Sequence, residues 1–305
     1  MKNMKKLVSL TMLVCLAIAT SPTFAGIAST DGAIIEVSPP TSVKAGETQS
    51  DTQIIVFAEQ YKVLPLDLKV DILDPGTYTG PDATLSEGII TAGTLVCSHM
   101  LHFDPVTGNT SLSGSVTFEE PILGLIVLNE TGYETLNKSD YLGASGTFYP
   151  TNFERRTELK AVNPTDPQDE VIFSADRRTV TVTLLTSVKW QDQVRIITEI
   201  EPEQAALEVL EDAMEVIAGL QPESFKNKNF AKTLINKIEA TLAMIAEGQY
   251  QEAIDKLQND ILKKTDGCEQ NDEPDDNDWI NNCDDQGKVS ELILKAIEML
   301  TLIVT

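Results

Sequence analysis

Both histidines of this 305-residue chain stand beside a cysteine, in the run CSHMLHF at 97–103. A thiol next to an imidazole is the pairing that generates a thiolate nucleophile. On a strand, Cys97, His99 and Leu101 face one way and His102 the other, so one metal ion cannot collect all three ligands without a bulge. Cys97 and His99 are therefore a candidate nucleophile–base pair. The plainer alternative is a buried free thiol, which strands accommodate well. No G-x-S-x-G, S-x-x-K, H-E-x-x-H or P-loop pattern occurs. Paired carboxylates of the kind that cleave glycosidic bonds stay open, because an acidic chain always brings some pair together.

The second candidate is KTDGCEQNDEPDDNDWINNCDDQGKV, 264–289, with nine acidic residues and no lysine or arginine from Asp266 to Asp285. Three readings overlap. Cys268 and Cys283 can pair in an oxidising compartment, closing a loop worth roughly 3 kcal/mol in the chain-entropy model. Asp272, Asp275, Asp276 and Asp278 supply oxygens of the kind calcium takes, although the spacing does not fit the D-x-[DN]-x-[DN]-G-x5-E loop. Asp275, Asp276 and Asp278 can instead cap a short helix through DWINN, with Trp279 turned inward as an anchor. Zinc would need further Cys or His ligands, and none lie nearby. Calcium is the one cofactor suggested.

The compartment decides how these cysteines are read. Lys2, Lys5 and Lys6 precede an apolar run from Leu7 to Ala19, and small residues follow up to Ala25. That is the pattern of a secretory leader spanning 1–25, cleaved near Ala25, and Cys15 belongs to it. A membrane anchor needs a longer apolar run. The sequence thus predicts a secreted, periplasmic or cell-surface protein with no membrane insertion. The formal charge of −24 becomes three units more negative without the leader's lysines. Such a surface repels nucleic acid and anionic lipid, which leaves an extracellular protein or polysaccharide as the expected partner.

The elements that must hold these residues change character near Glu201–Pro202. Before it, short alternating apolar runs are rich in Val, Ile and Thr: AIIEV at 33–37, QIIVFA at 53–58, LDLKVDI at 66–72, IITAGTLVCSHMLHF at 89–103, LSGSVTF at 112–118, ILGLIVL at 122–128 and TVTVTLLTSV at 179–188. Turn residues separate them, predicting an antiparallel β-sandwich over 26–200. Segment 131–170 is irregular and predicts long loops with one helical turn near LNKSDYLG. Arg155–Arg156 and Arg177–Arg178 read as solvated charge on loops. After Pro202 the period is helical: Leu207, Leu210, Met214 and Ile217; then Phe230, Leu234, Ile238, Leu242 and Ile245; then Tyr250, Ile254, Leu257 and Ile261; then Val289, Leu292, Ile293, Ala296 and Leu300. Four such stripes predict an α-helical bundle over 201–305, its second and third helices antiparallel.

The stretch FAKTLINKIEATLAMIAEGQYQEAIDKLQNDILKKTDGC, followed by PDDNDWINNC, resembles the FIMAH module of secreted prokaryotic multidomain proteins. That resemblance covers about 80 residues, 226–305. It implies a helical C-terminal unit, found after enzyme, immunoglobulin-like or repeat domains, without an established activity. LHFDPVTGNTSLSGSVTFEEPILGLIVL and DQVRIIT resemble an uncharacterised exported β domain, and imply no activity either. The expected function is a non-catalytic interaction or structural module, its β part presenting a binding surface and its helices docking or rigidifying. A secreted polysaccharide hydrolase using carboxylates of 131–170 is the alternative, and a calcium-stabilised surface component is a third.

Overall fold

The computed structural model describes residues 26–80, 83–129, 134–151, 155–160, 169–186 and 190–305. The expected leader, 1–25, and its cleavage point lie outside them. The strands are β1 (Ile27–Gly32), β2 (Ile34–Glu36), β3 (Ile54–Val63), β4 (Leu68–Val70), β5 (Gly76–Thr79), β6 (Gly88–Ile90), β7 (Leu95–Phe103), β8 (Thr110–Phe118), β9 (Ile122–Ile126), β10 (Glu170–Phe173), β11 (Thr179–Thr186) and β12 (Asp192–Glu199). One five-stranded sheet runs β1-β8-β11-β10-β5, a second runs β2-β3-β7-β12-β9, and β4 pairs with β6. Among the pairings, β2 with β3 is parallel, which corrects a wholly antiparallel expectation. Residues 37–53 supply the long crossover that a parallel pair requires.

Alternation produces the core between the two large sheets. In β11, Val180, Val182 and Leu184 are fully buried against Ile54, Leu101, Phe103, Val116, Phe118 and Ile196. The threonines between them face outward and pair across the strands, Thr183 with Ser113 at 2.8 Å and Thr179 with Thr117 at 3.0 Å. β8 meets β1 closely at Gly114, where a Cβ would stand 2.6 Å from the Asp31 carbonyl. β7 departs from this pattern because every residue of it is buried. One side of it faces the inter-sheet core, and Val96 and Met100 pack instead with Phe57, Leu136 and Leu142. The helical turn expected near LNKSDYLG is present as α1 (Thr135–Lys138) with a 3-10 turn at Asp140–Leu142, and it covers this outer side.

After Pro202 the chain is helical: α2 (Pro202–Gly219), α3 (Phe230–Ala246), α4 (Tyr250–Lys256), α5 (Gly267–Asn271) and α6 (Cys283–Val304). Pro202 occupies the first turn of α2, where its missing N–H costs nothing. Past Lys256 the helix loosens into a π turn over Leu257–Ile261, which keeps Leu257 and Ile261 buried. Lys237 reaches Asp260 at 3.3 Å. The two residues are nearly equidistant from the turn at Gly248, so α3 and α4 run antiparallel. In α2 the innermost residues are Ala205, Ala206, Val209, Leu210, Ala213 and Ile217, while Leu207 and Met214 flank them. Alanines at the contact let α2 and α6 approach closely.

The helices and strands share apolar packing. Tyr61 of β3, Leu95 and Cys97 of β7, and Ile200 belong to the same buried cluster as Val209, Leu234, Ile254 and Ile293. β3 and β7 thus present one end of the second sheet to the helices.

Candidate functional site

Cys97 and His99 are brought together: the thiol sulfur lies 3.6 Å from His99 Nε2, and both side chains are buried. Burial pushes the Cys97 thiol well above its ordinary value, and the Glu208 and Glu59 carboxylates push it further. A nucleophilic cysteine needs an electropositive and accessible setting, and this one is dry and faces acids. The imidazole of His99 packs on Phe118 with ring centroids 4.7 Å apart. The strand geometry is as read from the sequence, and the chemistry is that of the buried thiol. His102 faces away from the pair. Its Nδ1 accepts from Gln193 Nε2 at 3.1 Å, and its Nε2–H donates to the Thr48 carbonyl at 3.1 Å.

The acidic stretch folds around its own backbone. Cys268 and Cys283 lie at disulfide distance, Cα to Cα 5.4 Å. Asp278 is buried, its carboxylate accepting from the amides of Gly267 at 3.3 Å and Asp275 at 2.7 Å. A Cβ at Gly267 would come within 2.7 Å of the Asp275 nitrogen, so glycine is needed there. Asp275 in turn accepts from the amides of Asn277 at 2.7 Å and Asp278 at 2.9 Å. Asp272 is exposed and ends α5 in the left-handed region at φ 61°, and Asp276 is exposed. The four aspartates proposed as calcium ligands are therefore not gathered: two are turned onto amides and two point to solvent.

The expected DWINN helix is also absent. Ile280 forms a β-bridge with Phe225, and helix α6 starts at Cys283 with Asn282 as its cap, accepting from Asp285 N–H at 2.9 Å. Asp285 is held down to about 2 by hydrogen bonds from Ser224, Asn282 and Lys288. Trp279 is half-buried, stacked on Phe230 at 4.5 Å with Lys237 over its ring. It anchors the loop from the side rather than from the core.

The arginine pairs require the largest correction. Arg155 is fully buried, donating to Gln193 Oε1 and Asp140 at 2.7 Å each and to the Pro150 carbonyl at 2.9 Å. Arg177 donates to the carbonyls of Leu73, Leu123 and Ile122. Only Arg178 is exposed as expected. With Arg195, Arg155 forms a network that the sequence reading missed. Arg195 grips Glu59 with two hydrogen bonds, 2.7 and 2.9 Å, and also reaches Asp140 and Ser139. The Tyr149 ring lies beneath both guanidiniums, 5.7 and 5.5 Å away.

A second unforeseen cluster joins Glu158, Asp169 and Asp192, one oxygen from each lying within 4.8 Å of the others. Among the described residues no other group of three acidic, histidine or cysteine side chains is so close. Two of the three come from the irregular segment 131–170, where carboxylates were expected to matter. Asp192 sits in DQVRIIT, a strand whose polar residues hid its period. No protein-family model matches this chain, and neither does any curated protein or solved structure.

Proposed function

We propose that the chain is an exported, non-catalytic interaction or structural protein, a β-sandwich that presents a binding surface to an extracellular protein or polysaccharide, held against a FIMAH-like helical bundle. The observation that carries this reading is the apolar cluster running from Tyr61, Leu95 and Cys97 into α2, α3, α4 and α6. A helical unit so joined stiffens the sheet it rests on instead of trailing from it. The two-stranded β4–β6 sheet is the surface we assign to binding. Ile89 of β6 stands 59% exposed there, with the Lys69–Glu87 ion pair at 2.8 Å, and Leu66, two residues before β4, is 74% exposed. Among the described residues, no helix is long and apolar enough to cross a membrane.

The hydrolase alternative draws on carboxylates of 131–170; the two of them that lie together, Glu158 and Asp169, are buried, whereas a sugar chain needs an open cleft between its two carboxylates. Isothermal titration of the mature protein against purified cell-wall polysaccharides and surface proteins tests the reading. Saturable binding without release of reducing ends, lost in Leu66→Ser/Ile89→Ser at unchanged melting temperature, is the expected result. Turnover abolished by Glu158→Gln would replace it with the enzyme.

A further inference from the structure

Three separate pieces of chain meet at the carboxylate cluster. Glu158 opens a 3-10 turn, Asp169 immediately precedes β10 of the first sheet, and Asp192 is the first residue of β12 in the second. Asp169 and Asp192 are fully buried and Glu158 is 8% exposed. Asp169 is fixed by two amides, Glu158 N–H at 2.7 Å and Leu185 N–H at 2.8 Å. Each of its oxygens keeps a second lone pair. Asp192 is in the opposite condition: both carboxylate oxygens are sealed from solvent and neither has a hydrogen-bond partner. The buried side chain of Gln191, next to it, and the Thr186 hydroxyl, one residue past the amide that holds Asp169, are also without partners.

Buried carboxylates at this spacing are stable only if protons or a cation neutralise them. Burial and the Asp169 and Glu158 charges push Asp192 well above the carboxylate range, and burial raises Asp169 to about 6. Arg156 opposes this with its charge, but it makes no hydrogen bond to Asp192.

We propose that Glu158, Asp169 and Asp192 bind one divalent cation of the calcium class, which ties the start of β12 in one sheet to the start of β10 in the other. The donor set is oxygen only, which suits a hard cation and not zinc. Oxygens up to 4.8 Å apart can lie on opposite sides of one ion at calcium's bond length of about 2.4 Å. Magnesium binds at about 2.0–2.1 Å and keeps several waters, for which a buried site has little room. Gln191 Oε1, next to Asp192, and Thr186 Oγ1, next to the Leu185 amide that holds Asp169, are buried neutral oxygens without partners and are the candidates to complete the shell. This inference is independent of the binding function proposed above, and it places the cation away from the acidic loop.

The two tryptophans, Trp190 and Trp279, make the two locations separable. Trp190 is two residues from Asp192, and Trp279 lies in the acidic loop. Terbium, used as a luminescent calcium substitute, is titrated into the mature protein, and melting is followed in calcium and in chelator. Calcium is expected to raise the melting temperature by several degrees. Sensitised terbium emission should survive Trp279→Phe and be lost in Trp190→Phe. Asp192→Asn should abolish the calcium-dependent shift and weaken terbium binding at least about tenfold, while raising the melting temperature in chelator because no carboxylate then has to be desolvated and protonated on folding. If Asp192→Asn does not fold, Glu158→Gln is read in the same way, and the tryptophan pair decides on otherwise wild-type protein. A calcium response that persists in these variants and disappears in Asp275→Asn/Asp276→Asn would overturn the assignment. So would calcium that moves neither melting nor emission.

Discussion

At the scale of single residues, buried polar groups define this protein more than any reactive one. Arg195 has no solvent contact, and its charge is balanced by Glu59 and Asp140. Removing one member of such a pair strands the other in a dry interior, at a cost of about 3–5 kcal/mol. Arg195→Met should lose that much in urea unfolding, and Arg195→Met/Glu59→Gln should lose less than the sum of its single changes. A second prediction concerns His102, which burial lowers from 6.5 to about 4. The unfolded chain takes up this proton near pH 6.5 and the folded chain only near 4. The stability held by neutral His102 is thus complete above pH 6.5 and is lost as pH falls towards 4. Each unit is worth about 1.4 kcal/mol, so wild type should weaken by a few kcal/mol over that window. His102→Gln should show a flatter acid slope in urea titrations; an unchanged slope would assign the loss to other groups. Cys97, buried beside acids, should react with an aromatic disulfide reagent only after denaturant opens the fold.

At the scale of elements, the loop between α5 and α6 carries the clearest consequences. Its disulfide closes a separation of 15 residues, for which the chain-entropy model gives about 3 kcal/mol. Reductant should lower the melting temperature accordingly, and the Cys268→Ser/Cys283→Ser pair should mimic it without reductant. Gly267→Ala should cost about 1–3 kcal/mol through the strain of a Cβ against the Asp275 amide, in a segment that looks tolerant because most of it is exposed. Trp279 fluorescence, set by its stack on Phe230, reports both changes.

For the whole molecule, the cluster shared by β3, β7 and the helices predicts cooperative unfolding. Calorimetry should give one transition, with calorimetric and van't Hoff enthalpies equal. Two separated transitions would mean that the contact through Tyr61, Leu95 and Ile200 is incidental. Leu95→Ala removes apolar volume at this junction and should cost about 2–5 kcal/mol, lowering strand and helix signals together.

Periodicity was enough to read most of the elements. The alternation of TVTVTLLT and the helical stripes of 202–300 follow from burying one face of a strand or helix, and a local pattern records that. Strands β1, β5, β10 and β12 were not legible as strands. IASTDG carries little apolar signal, GTYT and EVIF are short, and in DQVRIITE the buried Asp192, Gln193, Arg195 and Thr198 stand where apolar residues would have marked the period. The cysteine pair could be read from type and spacing. The carboxylate cluster could not, because Glu158, Asp169 and Asp192 are separated by 10 residues or more in the chain and meet only where two sheets close on one another. The same holds for Arg155 and Arg195. Sequence registers that a charge exists, but its desolvation and its partner are set by which segments the tertiary fold places opposite it.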